Sequence, residues 1–280
     1  MSIKNNIKRK IIQIIAFGYS NIHLGNFLNN KIYQGKWKNF CNPGLNCYSC
    51  PAASFSCPIG ALQSVISSKQ YNFSFYVIGF LLAIGVVFGR FICGFICPFG
   101  LMQEIIYKIP SKKIKLFPLL KYLKYIILIV FVILLPIIWV DFTKQGRPTF
   151  CMFICPAGTL EAGIPMLIMN NSLFNIISNV FFIKMTILVL VIIGSIFVFR
   201  FFCKTLCPLG AIYGLLNKIS LYGLKVKKED CIFCGKCEKI CKMDINPIKN
   251  PNSIEWIRCG ECAAVCKNKA IKIGFLVAKL

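Results

Sequence analysis

Histidine is all but missing from this chain of 280 residues: His23 is the sole example. A bis-histidine haem is therefore excluded, and no CxxCH string offers covalent haem attachment. Acidic side chains are scarce too, with 9 Asp and Glu, and charged residues make up 15% of the chain against roughly 25% in soluble domains. No GxGxxG follows a strand pattern and no GxxxxGK[ST] occurs, so nucleotide and flavin binding find no support. Lys4, Lys8, Arg9 and Lys10 precede an apolar run as in a signal peptide, but no small-residue cleavage site follows. The run reads as a retained anchor.

Apolar residues dominate instead: 57% of the chain is hydrophobic and its mean hydropathy is +0.69. That composition belongs to the membrane class. The net charge of +24, from 33 Lys and Arg, would suggest nucleic acid in a soluble protein. Here the basic residues border long apolar runs, which makes them topology signals and excludes a nucleic-acid partner.

Four spans are expected, at about 11–30, 70–92, 122–140 and 180–200, since about 20 apolar residues cross a bilayer. Lys121, Tyr122, Lys124 and Trp139 suit the interfaces of the third, and Pro136 should kink that helix without ending it. Lys184, near one end of the fourth, is expected to snorkel to the headgroups. The stretch 162–180, uncharged but studded with Asn and Ser, reads as a re-entrant or interfacial helix.

Lys108, Lys112, Lys113 and Lys115 place the loop after the second span in the cytoplasm. The loop before the fourth span sets Lys144 and Arg147 against Asp141 and Glu161 and falls outside. Both termini then lie inside a multi-pass protein of the cell membrane. The expected fold is an all-α transmembrane bundle over 1–223 with a small α+β ferredoxin-like domain over 224–280.

Seventeen cysteines in tight groups point to metal clusters and not to a disulfide scaffold. An RFxCxxxCPxG repeat recurs at Arg90 to Gly100 and at Arg200 to Gly210. A third copy, Cys151 to Gly158, lacks the Arg-Phe, and a degenerate fourth is Cys57-Pro58-Ile59-Gly60. Cysteines four apart share one helical face, and proline after the second starts the next helix.

Both strong copies end inward-running spans, so Cys93, Cys97, Cys203 and Cys207 meet as a four-thiolate 4Fe-4S site, with Arg90 and Arg200 offsetting its charge. The outward loops hold Cys41, Cys47, Cys50, Cys57, Cys151 and Cys155. The expected ligands are Cys57, Cys151 and Cys155 plus either Cys47 or Cys50. The competing reading of these membrane thiols is simple apolar packing, which gives no reason for repeated CxxxCP strings.

In the tail, Cys231, Cys234, Cys237 and Cys241 are spaced CxxCxxCxxxC, and Cys259, Cys262 and Cys266 follow as CxxCxxxC. This resembles the bacterial two-cluster ferredoxin module; the alternative is a zinc ribbon. The resemblance implies that Cys231, Cys234, Cys237 and Cys266 hold one 4Fe-4S cluster and that Cys241, Cys259 and Cys262 belong to another. Trp256 stands where the other's fourth cysteine is expected, and Lys242 and Lys267 replace the usual prolines. That second cluster is then 3Fe-4S, completed by water or a carboxylate, or absent.

The string CNPGLNCYSCPAASFSCPIGALQ at Cys41 to Gln63, with the CxxxCP copies and the tail, resembles the NapH-like membrane polyferredoxins. The resemblance implies an electron carrier passing electrons between a quinol or cytoplasmic donor and a partner reductase, across the membrane. Alternatives are a stand-alone quinol dehydrogenase or metal-ion reductase, and a cluster assembly or storage protein. The expected partners are membrane lipid, redox proteins and quinone. Whether the chain is itself an enzyme stays open, an electron carrier being favoured over a catalyst. Glu104 and Asp141 offer carboxylates for quinol protons and His23 an imidazole for quinol contact, but interfacial or packed roles fit each better and none is named catalytic.

Overall fold

A computed structural model describes residues 2–29, 31–67, 75–139, 146–170 and 177–275. The start of the second expected span, the end of the third, and Asp141 and Lys144 lie outside the described residues.

The described chain is mostly helical, with one two-stranded sheet near its C-terminus. Two helices, Pro118–Ile138 and Asn179–Phe197, are long and apolar enough to cross a membrane, and Phe75–Phe88 is a shorter apolar helix.

The first expected span takes a different form: the helix runs Ser2–Ser20. It stops where Asn21 turns its side-chain amide back onto the Phe17 carbonyl, 3.1 Å away. Asparagine competes with the helix in this way. The following Leu24–Phe27 is a single 3-10 turn. Within this helix Arg9 and Gln13 are buried, while Lys8 is exposed.

Pro136 does not end its helix, which continues to Ile138. The segment Leu128–Leu134 ahead of it is π-helical, which relieves the clash between the proline ring and the carbonyl a turn earlier. Within 162–180, the described residues form the short helix Ile164–Met169, following a π-helical turn at Thr159–Gly163, and the start of the helix Asn179–Phe197.

The CxxxCP strings do not form one helix. Cys93 and Cys203 sit in the short helices Phe91–Phe95 and Phe201–Thr205, while Cys97 and Cys207 are extended caps before Pro98–Ile106 and Pro208–Leu216. In all three full copies the second cysteine's N–H reaches the carbonyl five residues back: Cys97 to Ile92, Cys207 to Phe202 and Cys155 to Phe150, at 2.9–3.1 Å. Proline at the first helical position has no N–H to satisfy, so the next helix starts there. The two thiols are therefore presented by a bend and not by one helical face.

The tail closes with β1 (Tyr222–Val226) antiparallel to β2 (Ile271–Phe275), pairing Leu224 with Ile273. β1 straddles the expected boundary after residue 223. Between the strands, Lys236–Lys239 and Glu261–Val265 pack together, and Glu261–Val265 also packs on Ser2–Ser20. One buried cluster, including Cys41, Cys57, Cys93, Cys97, Cys155 and Cys207 with Phe99, Phe202 and Tyr213, runs through the helical body. A second joins Phe199 to Trp256, Ile257, Cys237 and Cys262.

Candidate iron–sulfur sites

Cys93, Cys97, Cys203 and Cys207 are all buried and lie within electrostatic reach of one another. The two arginines that open the repeats cross over the site. Arg90 donates to the Cys203 carbonyl at 3.2 Å, and Arg200 donates to the Cys93 carbonyl. Both side chains are fully buried.

Each guanidinium is held by one carboxylate. Arg90 pairs with Glu255 at 2.8 Å, and Arg200 with Glu104 at 2.6 Å. Glu255 also takes Lys124, and Glu104 also takes Arg9, at 2.8 Å, and Lys10. Glu104 and Glu255 between them thus take five cations around four thiols, and Glu261 stands a further 3.9 Å from Arg9. A buried surplus of positive charge is costly unless an anion answers it, and a four-thiolate cluster supplies about two negative charges.

Glu104 is consequently an ion-pair hub. Burial acts to raise its pKa, but Arg200, Arg9 and Lys10 outweigh that and hold it at about 2. Arg200 adopts a left-handed backbone, φ 52°, a strain of roughly 1–3 kcal/mol that the guanidinium contacts hold in place.

A second set surrounds a cavity of about 580 Å³ lined by Cys47, Cys57, Cys151 and Cys155. Gly60 and Gly158 lie beside the thiols: a Cβ on Gly158 would stand 3.7 Å from the Cys47 sulfur and 3.9 Å from that of Cys155, and one on Gly60 3.8 Å from that of Cys151, all ordinary contact distances. Cys50 is turned away, packed with Ala52 and Ala53 against Phe27. Cys41 is buried beside Cys57 and forms an isolated bridge with Ser56.

Lys184, half-buried, lines this cavity. Its Nζ would be 3.9 Å from a Cβ on Gly158. Facing buried thiols, it occupies the charge-balancing role that the arginines have at the paired repeats. A lone charge in an apolar span was the signal that pointed inward.

In the tail, Cys231, Cys234, Cys237 and Cys266 line one small cavity. Cys241, Cys259 and Cys262 are near one another. Burial pushes the Cys259 thiol up to about 11 and the Cys262 thiol up to about 12, so these thiols need a bound cation to ionise near neutrality. Among the described residues no three Cys, His, Asp or Glu side chains converge tightly enough for a single metal ion. Thiols spread around cavities suit a polynuclear cluster better than zinc.

The segment around Trp256 has another occupation. Asn217 donates to the carbonyls of Ser253, at 2.7 Å, and Trp256, at 2.9 Å. Arg90 donates to the Ile254 carbonyl at 2.9 Å. Arg258, at φ 58°, donates to the Phe88 carbonyl and to Ser220. Ile257 abuts Gly94, next to Cys93. The stretch that lacks the cysteine is thus the clamp fastening the tail to the paired-repeat site. His23 lies apart, stacked on Tyr33 at 3.8 Å.

Residues 72–116 and again 181–229 match a 4Fe-4S binding domain family, one match over each strong repeat. YccM of Escherichia coli, named for electron transport, is 30% identical over 77 residues, covering 27% of this chain and 22% of that protein. These likenesses support an iron–sulfur protein with an electron-transfer role. Two uncharacterized proteins of Methanocaldococcus jannaschii are each 26% identical, over 71% of this chain and 78% of one, and 69% of this chain and 68% of the other. No solved structure matches.

Proposed function

We propose that this protein is a membrane-embedded relay that passes single electrons between a quinol or cytoplasmic donor and a partner reductase, across the bilayer. The observation that carries the reading is the clamp. Ile257, two residues before Cys259, touches Gly94, the neighbour of Cys93, so the chain segment that carries a tail thiol packs directly on the segment that carries a paired-repeat thiol.

Bound at these thiols, a 4Fe-4S cluster takes up and releases one electron at a time. The chain's part is to hold the sites adjacent, dry and charge-balanced. Cys57 and Cys97 belong to one apolar core, which links the loop site to the paired-repeat site. The two long apolar helices are largely unburied within the protein, leaving flanks that suit lipid and not a soluble core. The ligand sets we assign are Cys93, Cys97, Cys203 and Cys207; Cys47, Cys57, Cys151 and Cys155; and, in the tail, Cys231, Cys234, Cys237 and Cys266. Cys241, Cys259 and Cys262 form an incomplete fourth set.

Iron and sulfide analysis with EPR on the anaerobically purified full chain tests this. C93S/C203S should lose about four irons and one EPR signal while the tail signal persists. Unchanged iron in that variant overturns the membrane sites. Cysteine-accessibility mapping tests the crossing: Cys93 and Cys151 labelled from the same side would end it.

A second reading, quinol oxidation by the chain itself, draws on an apolar cavity of about 510 Å³ beside Cys41, lined by Ile12, Tyr19, Phe55 and Ile96. Cluster reduction by a quinol in the purified protein alone would favour it.

A further inference from the structure

We infer that Gln63 and Gln103 are matched redox-tuning residues, one for each membrane site, each donating a hydrogen bond to a cluster-ligating sulfur. The inference rests on the ligand sets proposed above.

The two glutamines hold the same place in the repeat, six residues after Cys57 in CPIGALQ and six after Cys97 in CPFGLMQ. Both are fully buried. The Nε2 of Gln103 lies 3.3 Å from the Cys203 sulfur, and that of Gln63 lies 3.3 Å from the Cys151 sulfur. Each therefore reaches the first cysteine of the repeat copy that faces its own.

The amide orientation follows from its other partners. The oxygen of Gln103 accepts the backbone N–H of Phe202 at 3.0 Å, and that of Gln63 accepts the backbone N–H of Phe150 at 3.0 Å. A flipped amide would set two donors against each other. One Nε2 proton goes back to the carbonyl four residues earlier, Phe99 or Ile59, at 3.3 Å in both cases. The other is left for the sulfur, so donors and acceptor are satisfied identically at two independent places in the fold.

The companion cysteine receives a backbone donor instead. Gly210 N–H points to the Cys207 sulfur at 3.3 Å and Gly158 N–H to the Cys155 sulfur at 3.4 Å. The other two copies do not supply a second side-chain donor. Glu161, six after Cys155, accepts from the Cys47 N–H, and Tyr213, six after Cys207, donates to the Pro43 carbonyl.

Structural packing alone would be served by any side chain that accepts the Phe202 or Phe150 N–H. The bond to sulfur has a separate consequence. One-electron reduction of a cluster adds negative charge to its thiolates, and an N–H donor stabilises that added charge, raising the reduction potential.

The test uses the full chain, reconstituted anaerobically, with EPR-monitored redox titration of the wild type, Q103E and Q103L. Q103E keeps the acceptor for Phe202 and removes the donor. The expected result is a shift of the paired-repeat signal to more negative potential in both variants, at wild-type iron content, while the tail signal stays in place as an internal reference. Q63E and Q63L should move the loop-site signal alone. Retained iron with unmoved potentials overturns the inference. Absence of iron from the wild-type membrane sites instead overturns the relay reading, so the two failures are distinguishable. If the variants shed their clusters, ENDOR on wild-type protein labelled with ¹⁵N in its glutamine amides decides: coupling to the reduced membrane clusters supports the bond, and none overturns it.

Discussion

Gly94 faces Ile257 so closely that a Cβ at residue 94 would stand 2.3 Å from the Ile257 carbonyl oxygen. That contact sets the separation between the helical body and the tail. It uses backbone on one side, so no side chain can swing away.

G94A should therefore push the tail outward. Overpacking of this kind costs roughly 1–3 kcal/mol, and the strain falls on the clamp and not on the thiols. The expected outcome is unchanged iron content with earlier release of the tail fragment in limited proteolysis. Slower electron exchange between tail and membrane clusters should accompany it.

Glu255 neutralises two fully buried cations, Arg90 and Lys124. Removing one member of a buried ion network costs roughly 3–5 kcal/mol, because its partners are stranded without counter-charge. E255A should lower the unfolding midpoint in detergent far more than a surface control such as E229A, and R90M/K124M/E255L should recover part of the loss.

At the loop site the structure distinguishes two cysteines that the spacing leaves equivalent. Cys47 lines the cavity and Cys50 packs against Phe27. C47S should remove the loop-site iron, whereas C50S should retain it. Iron and sulfide per chain read both outcomes.

Glu104 supplies a pH dependence whose sign follows from its ion pairs. Its pKa falls from 4.5 to about 2 on folding. The stabilisation is complete above about pH 4.5 and is lost as pH falls towards about 2. In wild type, attachment of Ser2–Ser20 should weaken over that window, seen as faster proteolysis near the N-terminus. E104Q should start weaker at neutral pH and show a flatter response, and the difference between the two curves isolates Glu104 from acid loss of iron.

Much of this was legible in one dimension. The CxxxCP copies, their prolines and the tail spacing identify thiol groups because each motif is local: proline can start a helix, and a cysteine beside it is presented at that bend, whatever lies elsewhere. The buried arginines were legible for the same reason, standing three residues before Cys93 and Cys203.

The repeats and the charge-derived topology bring distant copies together, but spacing cannot carry which side chain within a loop or helix faces the site, because that depends on packing. Cys47 faces Cys155 and Cys50 does not, although both stand in one short loop. Lys184 shares the loop-site cavity with Cys47 and Cys155, and its place in an apolar run does not reveal which thiols it meets. Trp256 reads as a missing ligand in the sequence and, in the fold, as part of the clamp. Composition and local motifs determined that this chain gathers thiols along apolar helices. Only the tertiary structure decided the crossing of Arg90 and Arg200 and the aim of Gln63 and Gln103, since each needs groups roughly a hundred residues apart to be brought within hydrogen-bond reach.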